Sequence, residues 1–204
     1  TDSIINGKQE ITASAKNFII ATGSSSIEIP NIPVDEKQIV SSTGALSLTK
    51  VPKSLLVIGG GYIGLEMGSV WSRLGSKVTV VEALDRIVPT MDGEIAKEFM
   101  KMLQKQGLEF KLSHKVSSAK SGKSGVDLEM ETSDKKVIKE NYEVVLMSVG
   151  RKPNTEGLGL EKIGVKLTDK KSIEIKDNYQ TSVKGIYAIG DVAPGPMLAH
   201  KAEE

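Results

Sequence analysis

The 204-residue sequence contains no cysteine. That absence excludes a disulfide framework, a cysteine-based zinc site and a cysteine nucleophile within this chain. No apolar run is long enough to span a bilayer, and no secretory signal is visible. The sequence therefore favours the cytoplasm, or the mitochondrial matrix if the protein is eukaryotic.

Neither sign of charge is in excess, because Lys and Arg total 27 and Asp and Glu total 26. This balance gives no reason to expect nucleic acid or an acidic membrane as a partner. Histidine is scarce as well, and neither His114 nor His200 lies at metal-ligand spacing from other candidate ligands. The residues alone identify no metal site and no catalytic acid, base or nucleophile.

A glycine-rich turn follows a short apolar run, and it organises the chain. After residues 55–58, Gly59, Gly61 and Gly64 fall on the G-x-G-x-x-G spacing. This spacing suits a tight strand-to-helix turn, bare backbone beside a pyrophosphate and close packing of helix on strand. The N–H groups that open the helix would face the phosphates.

An acidic residue, Glu82, stands at the end of the next predicted strand. Its carboxylate can accept hydrogen bonds from both hydroxyls of an adenosine ribose and would repel a 2′-phosphate, which favours NAD over NADP. Arg86 is close enough in sequence to keep NADP open. The alternative for Glu82 is a solvated strand end with no ligand.

The pattern of apolar residues predicts a βαβαβ order, which demands a parallel sheet. The predicted strands are 54–58, 77–82 and 108–112, and the predicted helices are 62–74 and 92–106. Residues 116–149 predict an antiparallel β insertion followed by a buried strand at 142–149. The predicted fold class is α/β, a Rossmann-like doubly wound parallel sheet with that insertion.

The flanking regions predict less regular structure. Asn6-Gly7 predicts the turn of a hairpin over residues 1–12, and 18–21 predicts a short strand. Residues 24–52 look like a linker with a short helix near 42–48, and 151–154 look like a turn. Short strands are also predicted at 172–175 and 185–189. Because the chain begins with Thr1 and ends in a helix that has barely begun, we expect a piece of a longer protein.

Several motifs in order resemble the flavin-dependent pyridine nucleotide-disulfide oxidoreductases. Residues 19–24 resemble the A-T-G segment of that family, and 59–66 with 80–87 resemble its NAD domain. Residues 149–154 match its G-R-x-P-N return, and 181–191 match its second FAD motif. Residues 197–202, together with 59–71, look most like the dihydrolipoyl dehydrogenase branch.

The resemblance implies three segments and two cofactors. Residues 1–50 would belong to the FAD domain, 51–148 to the NAD domain and 149–204 to the truncated return of the FAD and central domains. The implied NAD contacts are Gly59, Gly60, Gly61, Tyr62, Ile63, Gly64, Glu66, Glu82, Val116 and Gly150, with Tyr62 a candidate gate over the flavin. The implied FAD contacts are Thr22, Gly23, Ser24, Asp191, Met197, Leu198, Ala199 and His200.

The resemblance also implies an activity that this chain would not complete. The family's first FAD fingerprint, redox cysteine pair and C-terminal dimerisation domain with its His-Glu base are absent from the sequence. We therefore expect an inactive NAD-domain fragment of an enzyme that reoxidises protein-bound dihydrolipoamide through a disulfide and FAD and passes hydride to NAD⁺. Its implied partners are a second copy and the lipoyl domains of 2-oxo acid dehydrogenase complexes. The alternatives are a related flavoprotein disulfide reductase, NADH oxidase or transhydrogenase, or a stand-alone NAD-binding sensor.

Overall fold

The computed structural model describes residues 2–6 and 9–203. They form two compact units, Ser26–Arg151 and a unit that joins Thr1–Ser25 to Lys152–Glu204. The strands in chain order are β1 (Asp2–Asn6), β2 (Gln9–Ala13), β3 (Phe18–Ile20), β4 (Ser24–Ser26), β5 (Ile39–Val40), β6 (Ser54–Ile58), β7 (Lys77–Glu82), β8 (Glu109–Leu112), β9 (Lys115–Gly122), β10 (Gly125–Glu131), β11 (Val137–Tyr142), β12 (Val144–Met147), β13 (Arg151–Pro153) and β14 (Ile186–Ala188). The α-helices are α1 (Ser42–Ser47), α2 (Tyr62–Arg73), α3 (Gly93–Lys105) and α4 (Ala199–Glu203).

A five-stranded parallel sheet forms the centre of the unit Ser26–Arg151. Its strand order is β5-β12-β6-β7-β8, and every neighbouring pair is parallel. Successive residues of β6 point to opposite faces, so Leu55 and Val57 join one core while Leu56 and Ile58 join the other. All four side chains are buried, which agrees with the predicted βαβαβ order.

The two faces of this sheet are covered by different kinds of structure. Helices α1, α2 and α3 supply the first core with residues such as Ala45, Leu65 and Leu103. The second core is closed by the antiparallel sheet β11-β10-β9, whose strand β10 turns Val126 and Leu128 inward. The predicted antiparallel insertion is therefore confirmed. It takes the place of a second helical layer because alternation along β10 gives it one apolar face.

The segment predicted as a linker is part of this unit. Ile32 and Val40 are fully buried in the second and first cores, and α1 forms where the short helix is predicted. The linker interpretation is thus wrong for residues 26–50, since their few apolar side chains meet partners from distant parts of the chain. The three-segment domain division stays a prediction, although residues 26–50 and 149–151 pack in this unit.

The sequence pattern of helix α3 predicts one apolar face formed by Ile95, Phe99, Met102 and Leu103, but the helix buries a narrower face. Ile95 and Met102 are 55% and 57% exposed, whereas Ala96 and Leu103 are buried. The helix bounds agree with the prediction to within a residue, and Asp92 caps the start by accepting the N–H groups of Glu94 and Ile95. The helical period of the apolar residues places a stripe of side chains on one side of the helix. This period does not determine which edge of the stripe packs against the sheet.

The other unit is built from short pairings between its two segments. Strand β3 pairs in parallel with β14, and β1 pairs antiparallel with β2 as predicted, although Gly7 of the predicted turn lies outside the described residues. Residues 151–153, predicted as a turn, form β13 and pair with β4. The strand predicted at 172–175 is reduced to one bridge between Leu167 and Ile173.

Asp35 fixes a loop that runs across the second core of the unit Ser26–Arg151. One carboxylate oxygen accepts the backbone N–H groups of Lys37, Gln38 and Ile39, and the other accepts the hydroxyl of Ser121 at 2.6 Å. Burial alone would raise the pKa of Asp35, but the four hydrogen bonds outweigh it and lower the pKa from 3.8 to about 2. The folded state therefore favours the ionised carboxylate.

We expect Asp35→Asn to lower the free energy of unfolding at pH 7 by about 1 kcal/mol, a value reduced for the exposure of this side chain. The contribution is complete above pH 3.8 and is lost as the pH falls through about 2, so the difference between variant and parent should shrink over that interval. Urea unfolding followed by fluorescence of Trp71, the single tryptophan, measures it. Asp169→Asn is the control for an exposed carboxylate. An unchanged difference at pH 2 would contradict this account.

Candidate functional site

The candidate site lies where two neighbouring strands of the parallel sheet end. Strand β6 leads through Gly59–Gly61 into α2, and β12 ends beside it and leads into residues 148–150. The chain leaves β6 toward β7 on one side, while β12 lies on the other. Such a reversal of strand order opens a crevice at the carboxyl ends of the strands, and α/β proteins bind ligands there.

Two of the fingerprint glycines are required by the protein itself. Gly59 has φ +106°, and a Cβ on it would lie 2.5 Å from the carbonyl oxygen of Ser148. A Cβ on Gly64 would lie 2.2 Å from the carbonyl oxygen of Gly59 and 2.6 Å from Oγ of Ser148. Helix α2 therefore sits against the turn at a distance that only glycine permits.

The middle glycine of the fingerprint has no such requirement from the protein. Gly61 has φ −83°, which any residue adopts, and a Cβ on it would meet nothing within 4 Å. Gly61 is also the N-cap of α2, and no side chain caps that helix. The result is bare backbone beside a helix start, which fits a dinucleotide pyrophosphate by shape and by its N–H donors.

Glu82 lies beside the glycine turn, as its place at the end of β7 predicts. One carboxylate oxygen accepts the N–H of Gly60 at 2.7 Å, and the other accepts the N–H of Leu84 at 2.9 Å. The side chain is half-buried. Each oxygen keeps a second lone pair for a ribose hydroxyl, so Glu82 combines an anchoring contact with room for the predicted one.

The remaining predicted NAD residues divide by exposure. Tyr62 is 55% exposed and its hydroxyl lies 2.9 Å from Oγ1 of Thr90. Ile63 is half-buried, and Glu66 and Gly150 are exposed. Val116 is only 3% exposed within the second core, so its side chain has little surface left for an adenine.

The predicted FAD residues in the other unit come together from both of its segments. The hydroxyl of Thr22 donates to the carbonyl of Asn154 at 2.7 Å, and the N–H of Asn154 donates to the carbonyl of Gly23 at 2.9 Å. The hydroxyl of Ser24 donates to the carboxylate of Asp191 at 2.5 Å. A Cβ on Gly23, whose φ is +71°, would meet nothing within 4 Å. Open backbone beside hydroxyl and carboxylate groups fits a polyhydroxyl ligand such as a ribityl chain.

The last predicted FAD residues, 197–200, lead into the short helix α4 (Ala199–Glu203). Its Lys201 donates to the carbonyl of Pro194 at 2.8 Å. Leu198 is 44% exposed, and His200 is exposed. Within the described part of the chain, no group of three His, Asp or Glu side chains is placed to hold a metal ion.

Comparison with known proteins agrees with this geometry. Residues 2–204 match the family described as pyridine nucleotide-disulphide oxidoreductase. The chain belongs to that family. Membership implies a flavin and a nicotinamide cofactor for proteins of this family, and the fold and the glycine turn of this chain agree with that requirement.

Curated relatives of this chain are longer than it is. Dihydrolipoyl dehydrogenase 1 of Arabidopsis thaliana, named as mitochondrial, is 58% identical over 93% of the chain and 38% of its own length. Leghemoglobin reductase of Vigna unguiculata is 55% identical over 93% of the chain and 36% of its own length. The chain thus spans well under half of the length of these relatives.

Solved structures of other proteins share the fold. The HOCl-induced flavoprotein disulfide reductase of Escherichia coli matches with a TM-score of 0.84 and 28% identity, over 95% of this chain and 43% of its own. LpdA of Mycobacterium tuberculosis matches with a TM-score of 0.80 and 29% identity, over 90% of this chain and 39% of its own. Within residues 2–6 and 9–203, no helix is both long enough and apolar enough to cross a bilayer.

Two residues at the site were missed by the sequence interpretation. Ser148 contacts the glycine turn, and Thr90 contacts Tyr62. Ser148 carried a signal, because it is a polar residue near the end of the predicted buried strand 142–149, at the edge where the glycine turn is predicted. Thr90 carried none, since its contact depends on the path of the loop between β7 and α3.

Gly64 has no room for a side chain, whereas Gly61 has open space, and this difference can be tested by substitution. We expect Gly64→Ser to lower the free energy of unfolding by about 2 kcal/mol or more, because backbone occupies the place of its Cβ. Gly61→Ser should change it by less than about 0.5 kcal/mol, because serine is a favoured N-cap residue. Urea unfolding monitored at Trp71 compares them. If the two variants lost the same free energy of unfolding, the space beside Gly61 would not be open.

Proposed function

We propose that the unit Ser26–Arg151 binds NAD and that the parent protein is a flavoprotein dihydrolipoyl dehydrogenase. The observation that carries the proposal is the open backbone at Gly61, between two glycines that the protein itself requires. Nothing in the fold demands glycine at this position, so a ligand that approaches the backbone closely accounts for it. The open N-terminus of α2 favours an anionic group there.

We propose NAD rather than NADP as the ligand because of Glu82. Its half-buried carboxylate is held at the end of β7 by the N–H groups of Gly60 and Leu84. In this place it would bind ribose hydroxyls and repel a 2′-phosphate. Arg86, the residue that would favour NADP, uses its guanidinium to donate to the carbonyl of Pro89 at 3.2 Å.

The flavin would be held in the other unit by Thr22, Gly23, Ser24 and Asp191, and there the chain's own residues supply binding and orientation. When both cofactors are bound, they supply the hydride transfer. The substrate of the parent protein would be protein-bound dihydrolipoamide, and its partners the lipoyl domains of 2-oxo acid dehydrogenase complexes and a second copy. Curated relatives at 55–58% identity with the name dihydrolipoyl dehydrogenase support this, as does their mitochondrial designation for a matrix location in a eukaryote.

Titration of the 204-residue chain with NADH, followed by nicotinamide fluorescence, tests the proposal. We expect saturable binding that Gly61→Ser weakens at least about tenfold, because its side chain fills the open space and its hydroxyl accepts the N–H groups of α2. Glu82→Ala should also weaken NADH binding, and the parent chain should bind NADPH less tightly than NADH.

Asp169→Asn, in the other unit, is the control and should leave the NADH dissociation constant unchanged. Binding that Gly61→Ser does not affect would place the dinucleotide elsewhere and overturn the assignment of this site. Equal affinity for NADH and NADPH would overturn the role of Glu82.

A further inference from the structure

The peptide group between Gly59 and Gly60 is held at both of its ends. Its carbonyl oxygen lies 3.3 Å from the hydroxyl of Ser148, which shares its single proton between this oxygen and the carbonyl oxygen of Ile58. Its N–H donates to the carboxylate of Glu82 at 2.7 Å. Ser148 follows β12 and Glu82 ends β7, so the two side chains reach the turn from the strands on either side of β6. A peptide plane fixed from both sides cannot rotate without breaking one of these bonds.

Ser148 is bonded more extensively to this turn than a solvated strand end requires. Its hydroxyl also lies 2.9 Å from the carbonyl oxygen of Ile58, and its backbone N–H donates to the same oxygen at 2.9 Å. Its Oγ fills the space beside Gly64, where a Cβ would lie 2.6 Å away. The serine therefore contacts the end of β6, the glycine turn and the first part of α2 at once.

The orientation of this peptide matters because one further peptide group links it to Gly61, the N-cap of α2. The peptide sets the direction in which the chain reaches Gly61, and hence where the first N–H groups of α2 point. Ser148 is also two residues from Gly150, whose carbonyl accepts the N–H of Ile27 at 3.0 Å. The hydroxyl of Ser148 thus links the two loops that border the crevice.

We infer that Ser148 is a positioning residue for dinucleotide binding, which orients the glycine turn toward the pyrophosphate by clamping the Gly59–Gly60 peptide together with Glu82. This inference rests on the proposed function of the site. Ser148 need not touch the ligand. A binding group that is held by two hydrogen bonds keeps its orientation, and this orientation can contribute more to ligand binding than the energy of each hydrogen bond suggests.

Ser76 provides a matched control at the opposite end of the same sheet. Its hydroxyl donates to the carbonyl of Pro52 at 2.6 Å, and the residue is buried. It joins the loops that precede β6 and β7, as Ser148 joins those that follow β12 and β6. Removing either hydroxyl costs one hydrogen bond to a backbone carbonyl, but only Ser148 lies at the crevice.

The test measures dissociation constants of the 204-residue chain for NADH and ADP-ribose, together with urea unfolding at Trp71. We expect Ser148→Ala to weaken both ligands about three- to tenfold, the range for loss of one neutral hydrogen bond. NADH and ADP-ribose both contain the pyrophosphate, so Ser148→Ala should weaken the two ligands by the same factor. Ser148→Thr, which retains the hydroxyl, should bind within about twofold of the parent chain. Ser76→Ala should lower the unfolding midpoint and leave both affinities within the same limit.

Each other outcome overturns the inference. If Ser148→Ala binds both ligands within twofold of the parent chain, the serine has no positioning role. If Ser76→Ala loses as much affinity as Ser148→Ala, the effect comes from general stability. If Ser148→Ala does not fold, Ser148→Cys replaces it, since a thiol has the same connectivity and is a weak donor. If the parent chain binds neither NADH nor ADP-ribose, the proposed function is overturned as well. If the parent chain binds both ligands and the Ser148 variants bind them equally well, this inference alone is overturned.

Discussion

The approach of α2 to the end of β6 is the constraint on which the site depends. The carbonyl oxygen of Gly59 occupies the place where any side chain at Gly64 would begin. This contact seats the helix directly on the turn, so that its N-terminal N–H groups open at the edge of the sheet. A looser contact would accept alanine at Gly64, but it would move the helix start away from the crevice that a pyrophosphate must enter.

The layers that pack on the two faces of the parallel sheet bury its strands but leave the crevice at their carboxyl ends open. Three helices close one face and the antiparallel sheet β9–β11 closes the other, so the central strands are buried along their length. The loops beyond the carboxyl ends of the strands remain free to hold a ligand. Asp35 and Ser121 tie the loop before β5 to the hairpin of the antiparallel sheet, which stabilises this second layer without contact to the glycine turn.

The parts of the fold that sequence patterns predict are those fixed by local periodicity. Strands β6 and β7 have the predicted bounds because an apolar run next to a glycine leaves few alternatives. The exposure of Ile95 and the packing of Val40 were not predictable in the same way, because both depend on which distant element meets the side chain.

The candidate site shows the same division between local pattern and long-range contact. The glycine spacing and Glu82 predicted its position, and the family resemblance supplied the flanking residues. The difference between Gly61 and its neighbours is visible only in three dimensions, because it depends on Ser148, which lies more than eighty residues away in the chain. The hydrogen bonds of Glu82 to Gly60 and Leu84 likewise depend on how two strand ends meet.

A dinucleotide that binds at the turn between β6 and α2 lies against the backbone of Gly61 and the start of α2. The most direct measurement is a ¹H–¹⁵N correlation spectrum of the 204-residue chain during titration with NADH. The account predicts that the largest shifts occur at the backbone amides of Gly61, Tyr62 and Ile63, where the phosphates meet the helix start. Shifts confined to the outer face of the antiparallel sheet, or none at saturating NADH, would contradict it.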